Sequence, residues 1–171
     1  MTSQQERVFN SLNAQLEEGC YHKNLINGVT GSGKTLIYEK IAQKAIDRHQ
    51  QVLILVPEIA LSYHLFERLK GCFGERIGLL HSQLTERERY QIWKQVAAHE
   101  IDVVLGPRSA LFLPYSDLGL IVIDEEHESS YKQSEPDPRY HAITVAEYLA
   151  KKHQAILVLG SATPSIDSLY D

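Results

Sequence analysis

The chain has 171 residues, 43% hydrophobic and 23% charged, a length and mix that suit one soluble globular domain with a single core. A formal net charge of −5 excludes a dedicated basic nucleic-acid binder, so any contact with a polyanion must come from a local patch. The polar start Met1–Arg7, the wide separation of Cys20 and Cys72, and the absence of any apolar run near the roughly 20 residues of a membrane span predict a protein of the reducing cytoplasm, with no membrane partner.

Val8, Phe9, Leu12 and Leu16 share one face of a helix that Gly19 can end. An apolar run at 24–26 predicts a first strand, and Ile37, Ile41 and Ala45 form the next helical stripe. A run at 52–56 is followed by a stripe of Leu61, Leu65, Phe66 and Leu69, which Gly71 is expected to stop. After a run at 77–80, Thr85 and Glu88 have the spacing of a capping box, opening a helix that should carry Ile92, Trp93 and Val96 into the core. Runs at 101–105 and 118–123 come next, then a stripe of Ala142, Val145, Ala146 and Leu149, and a last run at 156–159. Several runs are continuous rather than alternating, as in strands buried on both faces of a parallel sheet. The predicted fold is therefore α/β, an open, mostly parallel sheet with helices on both faces and ligands at the carboxyl ends of its strands.

Gly28-Val29-Thr30-Gly31-Ser32-Gly33-Lys34-Thr35 fits G-x-x-x-x-G-K-[ST], a loop whose backbone amides cradle phosphates. In that reading Gly28, Gly31 and Gly33 allow the tight backbone, and the amides of Gly31, Ser32, Gly33, Lys34 and Thr35 face the β-phosphate from a helix start. Lys34 neutralises the β- and γ-phosphates, and the Thr35 hydroxyl holds Mg²⁺. Downstream, Ile121-Val122-Ile123-Asp124-Glu125-Glu126-His127 is an apolar run ending in acids. Asp124 is the expected second ligand of Mg²⁺, and Glu125 the group that orients and deprotonates water. The two stretches together predict ATP and Mg²⁺ as ligands. None of the eight histidines has metal-ligand spacing, so no structural metal is expected.

Three further stretches leave alternatives open. Gly160-Ser161-Ala162-Thr163-Pro164 could sense the acid cluster through Ser161 and Thr163, or be a turn with Thr163 as N-cap. Glu125 to Arg139 is polar and too long for a turn; Tyr131, Lys132, Arg139 and Tyr140 could meet nucleic acid, or form an exposed loop. Arg108 follows a strand and could contact phosphate, or be a surface arginine. His127 is read as a coupling residue and Trp93 as core.

In order along the chain, the glycine loop at 28–35, Leu-Val-Pro-Glu-Ile-Ala-Leu at 55–61, Leu-His-Ser at 80–82, Arg-Ser-Ala-Leu-Phe at 108–112, Asp-Glu-Glu-His at 124–127, Ser-Ser-Tyr-Lys-Gln at 129–133, Arg-Tyr-His-Ala at 139–142 and Gly-Ser-Ala-Thr-Pro-Ser at 160–165 resemble one family. That family is the PriA replication-restart helicases of superfamily 2 (primosomal protein N′), and the resemblance is to their first RecA-like P-loop NTPase lobe over essentially all of residues 1–171. It implies an ATP-driven 3′-to-5′ DNA helicase that acts at stalled forks with replication-restart proteins. It also implies that Gln5 contacts adenine, that the long loop couples DNA occupancy to ATP turnover, and that Ser161 and Thr163 belong to the coupling motif. A second lobe and a DNA-binding region would lie outside this chain, so the lobe alone is expected to bind nucleotide and to hydrolyse it very slowly.

Overall fold

The structure is a computed structural model that describes residues 1–29, 31–57, 63–135 and 137–162. Six strands form one sheet: β1 (His22–Asn27), β2 (Gln51–Leu55), β3 (Ile77–Leu79), β4 (Val103–Gly106), β5 (Leu118–Ile123) and β6 (Ile156–Ser161). Their spatial order is β1-β6-β5-β2-β4-β3, and every pairing is parallel. Parallel neighbours need a crossover. The described helices that supply these crossovers are α2 (Lys34–Asp47), α3 (Tyr63–Phe73), α4 (Glu86–Ala97) and α5 (Ala142–His153), with α1 (Ser3–Glu18) ahead of β1.

Successive residues of a strand face opposite sides, and the core divides accordingly. Val52, Ile54, Leu120, Val122, Ile156 and Val158 pack with buried side chains of α1, α2 and α3. Leu53, Leu55, Ile121, Ile123, Leu157 and Leu159 pack on the other face with Val96 of α4 and the alanines of α5. This is why the central runs read as unbroken apolar sequence: β2, β4, β5 and β6 are buried at every position.

The local signals act as their chemistry dictates. Gly19 takes a left-handed φ of 65° and closes α1. Thr85 and Glu88 form the expected reciprocal cap of α4. Two expectations need correction. Gly71 does not stop α3, which runs on to Phe73; a turn at Gly74, with φ of 62°, ends it instead. Trp93 is not core: it is 45% exposed, and its ring lies parallel to that of Tyr90 with centroids 6.3 Å apart. On α4 the core-facing stripe is narrow, with Val96 buried and Ile92 partly so, and Trp93 falls beside it. The expectations for Leu61, Thr163 and Pro164 lie outside the described residues.

Candidate nucleotide site at the carboxyl edge of the sheet

Because all six strands run the same way, the segments that follow them gather on one edge. The glycine loop follows β1, Asp124 follows β5, and Ala162 follows β6, three strands that are neighbours in the sheet. The backbone binds them directly. The Gly28 amide donates to the Ser161 carbonyl at 3.0 Å, the Asp124 amide to the Leu55 carbonyl at 2.9 Å, and the Glu126 amide to the Gly160 carbonyl at 3.0 Å.

Lys34 opens α2 behind Gly33, whose φ of 85° is in the left-handed region that favours glycine. A Cβ on Gly33 would also collide with the Gln5 amide. Of the amides at this helix start, Ser32 donates to the Val29 carbonyl and Leu36 to the Gly33 carbonyl, both at 3.0 Å; Lys34 and Thr35 are first-turn positions whose amides lack intrahelical acceptors, which suits an anion. The stem of Lys34 is buried, at 8% exposure, and its Nζ donates to the Gly28 carbonyl at 2.8 Å. The same Nζ lies 3.5 Å from Glu125 Oε1, across 91 residues of sequence. The glycine loop and the acid cluster, predicted as separate motifs, are thus in contact through one charge pair. A cleft of about 410 Å³ runs beside the loop, lined among others by Gln5, Val8, Gly28, Ser32, Lys34 and Ile37.

Gln5 joins α1 to the loop. Its Oε1 accepts from the Thr2 amide at 2.8 Å, and its Nε2 donates to the Ser32 carbonyl at 2.9 Å. Both ends of the side chain have partners within the chain, so a base edge reaching Gln5 competes with Ser32.

Asp124 is held from two sides. The Tyr38 hydroxyl donates to its Oδ1 at 3.0 Å, and the Tyr131 hydroxyl donates to its backbone carbonyl at 2.6 Å. Burial holds the Asp124 carboxyl above the usual carboxylate range and the charge of Glu125 adds to this, while the Tyr38 hydrogen bond and Lys34 oppose it. A part-buried carboxylate with a second acid beside it is the donor set a hard divalent cation offsets, so these residues fit Mg²⁺.

Glu125 has φ of 48°. Among the described residues the other non-glycines with positive φ are His49, His99 and Gln154, each just past a helix end, where that geometry is routine. Glu125 ends no helix. Strain in a charged residue beside a phosphate loop points to a functional constraint on its side chain. Its Oε2 lies 3.8 Å from His127 Nδ1, and the same nitrogen is 2.8 Å from Ser161 Oγ. The structure therefore brings together two of the three residues read as coupling; Thr163, the third, lies outside the described residues.

The predicted nucleic-acid residues separate. Tyr131 is only 1% exposed, so its ring is not available to stack a base. That expectation is corrected: Tyr131 is a buried link between the long loop and Asp124. Arg108 Nη1 donates to the carbonyls of Ser130 (2.6 Å) and Lys132 (3.2 Å), clamping the loop on either side of Tyr131. Lys132 and Arg139 are exposed, with Arg139 paired to Asp137 at 3.2 Å, and Tyr140 meets Phe112 edge-on at 5.2 Å. The long segment is not a simple loop, since a 3₁₀ turn (Ser129–Tyr131) and a bridge between Lys132 and His141 tie it down.

The sequence profile of the DEAD/DEAH box helicases matches residues 2–171. The chain belongs to that family. Membership carries nucleotide binding with it. The replication restart protein PriA of Bacillus subtilis is 44% identical over 168 residues, which are 98% of this chain and 21% of that protein. The PriA of a Synechocystis species is 47% identical over 148 residues, covering 86% of this chain and 18% of its own length. The resemblance read from the motifs is thereby borne out, and the chain spans about a fifth of the length of these curated relatives. RecG, in its structure bound to a three-way DNA junction, superposes with a TM-score of 0.74 at 21% identity, over 99% of this chain and 22% of that one. That likeness makes the fold of this helicase-family chain RecA-like. Among the described residues no helix is long and apolar enough to cross a membrane.

Two residues that sequence reasoning passed over belong to the site. Tyr38 lies one turn beyond Lys34, buried in the same core cluster as Ile37 and Ile41, and its i+4 offset from Lys34 was the available signal. Gly160 is the other. A Cβ there would collide with the Tyr38 hydroxyl and stand 3.1 Å from Asp124 Oδ1. Gly160→Ala is expected to destabilise the fold by about 1–3 kcal/mol through overpacking and to weaken nucleotide binding, measured by chemical denaturation and calorimetry. An unchanged midpoint would show that Tyr38 can move aside.

Proposed function

We propose that this chain is the first RecA-like lobe of a replication-restart DNA helicase, and that it binds ATP with Mg²⁺ and hydrolyses it in step with DNA binding. The observation that supports this most is the contact of Lys34 with Glu125 at 3.5 Å, which joins a phosphate loop after β1 to an acid pair after β5, across the intervening β6. In this reading the amides of Gly31 to Thr35 bind the β-phosphate, and Lys34 moves from the Gly28 carbonyl to the β- and γ-oxygens. Thr35 and Asp124 would hold Mg²⁺, which would supply charge neutralisation at the transferred phosphoryl group. Glu125 takes the proton of the attacking water, and Lys34 and His127 fix its orientation. Gln5 lines the cleft where the base would lie.

DNA is the proposed partner, reached through Lys132, Arg139 and Tyr140, with Arg108 holding the loop that presents them. The protein is read as cytoplasmic, with 3′-to-5′ polarity and a role among replication-restart proteins. The remaining four-fifths of the relatives' length would supply the second lobe with its arginine fingers, groups worth about 10³–10⁵ in rate in comparable enzymes. The chain alone should therefore turn over slowly and unwind nothing.

The test is ATP turnover by the intact protein with no nucleic acid, with forked DNA and with RNA. Stimulation by the fork supports the reading. Equal or greater stimulation by RNA assigns the motor to RNA, and absence of turnover in all three leaves a nucleotide-sensing module.

A further inference from the structure

Tyr38 is a buried polar group in contact with the acid cluster, and the proposed chemistry gives it no role. It is 3% exposed, lies one turn into α2, and donates to Asp124 Oδ1 at 3.0 Å. A buried phenol needs an acceptor in any structure, so satisfaction alone would account for some hydrogen bond. It does not account for which acceptor is used. The partner is the side chain of the first acid after β5, 86 residues away in sequence, and the hydroxyl occupies space that a Cβ on Gly160 would fill.

We infer that Tyr38 is a positioning residue that fixes the Asp124 carboxylate for a divalent cation. The inference rests on the nucleotide-binding reading above and adds a residue to it. A free aspartate carboxylate rotates broadly about its last torsion. The bond to Oδ1 selects one orientation of the carboxylate, which the neighbouring Glu125 amide also helps to hold. The main chain of the same residue is fixed separately, by the Tyr131 hydroxyl on its carbonyl and by its own amide on Leu55. Backbone and side chain are therefore each held by a buried tyrosine, one from the helix that starts at the phosphate loop and one from the long loop. Since Tyr38 and Lys34 share α2, the position of the carboxylate is tied rigidly to the position of the phosphate-binding lysine. A cation that must touch both a phosphate and Asp124 meets a preset distance, and less ordering is needed when it binds.

Tyr38→Phe removes one oxygen and keeps the ring. The test is calorimetry of ADP binding to the wild-type chain and to Y38F, once in excess magnesium chloride and once in EDTA. In magnesium, Y38F is expected to bind ADP about tenfold more weakly, the scale of one charge-assisted hydrogen bond. In EDTA the two proteins should bind ADP alike, and the magnesium concentration giving half the enhancement should rise in the variant. A purely structural tyrosine would weaken binding equally in both buffers, or in neither, and either result overturns the proposal. The double variant with Asp124→Asn makes a cycle: if Tyr38 acts through Asp124, Y38F adds no further loss of magnesium dependence to D124N. Additive losses would overturn it as well. Should the wild-type chain bind no ADP in either buffer, the nucleotide reading itself fails, and that result does not resemble any of the others.

Discussion

Replacing Lys34 by alanine is expected to weaken nucleotide binding by about tenfold to a few hundredfold, the range of one or two charge-assisted hydrogen bonds lost from a partly dry site. The environment of the residue is the reason. Its stem is buried and its ammonium already touches the Gly28 carbonyl and Glu125. In the variant, Glu125 keeps its place beside Asp124 but loses its lysine, so an entering triphosphate meets two acids with one cation fewer. Repulsion then adds to the missing hydrogen bonds. Lys34→Arg should not restore affinity, because a planar fork cannot replace a compact ammonium threaded under a tight loop. Calorimetry with Mg·ADP and Mg·ATP measures both variants, and melting temperatures check that the sheet is intact. Unaltered affinity in the alanine variant would remove the glycine loop from the site.

Glu125→Gln should lower ATP turnover by about 10²–10⁴, the usual worth of a positioned general base. Affinity for ATP should persist or rise. Glutamine has nearly the shape of glutamate and meets the same backbone constraint at φ of 48°, so the strain is unchanged and the loss reports the chemistry. The charge of the pair with Lys34 is also lost, which weakens the hold on the lysine, leaves it freer for phosphate and predicts slower nucleotide release. The measurement is single-turnover hydrolysis by the intact protein on forked DNA, alongside nucleotide affinity. A variant that turns over at the wild-type rate would show that water is activated elsewhere, with Glu126 and His127 the nearest candidates.

Four positions show how far a motif can be trusted. Asp124 and Glu125 stand out as candidates because an apolar run ending in acids has few other uses beside a glycine loop of this pattern. Tyr131 was legible as a residue of interest, yet its assigned partner was wrong. An aromatic in a polar, proline-containing segment reads as exposed, but the segment folds back through the Lys132–His141 bridge and the Arg108 clamp, and the ring becomes one of the largest fully buried side chains. Trp93 erred in the opposite direction. Helical spacing placed it with Ile92 and Val96, but consecutive positions on a helix lie about 100° apart, and the narrow stripe of α4 left the indole outside.

By itself the sequence determined the parallel α/β class and the family, and it singled out the glycine loop and the acid pair as candidates, because each depends on local residue types: unbroken apolar runs, glycines where φ turns positive, a lysine and a hydroxyl at fixed offsets. Tertiary structure alone decided the contacts across the sheet. Tyr38 with Asp124, Gly160 with Tyr38, Lys34 with Glu125 and Arg108 with the Tyr131 loop join residues from 22 to 122 positions apart. Such pairings follow from strand order, and strand order is set by how crossover helices pack, which a one-dimensional pattern does not record.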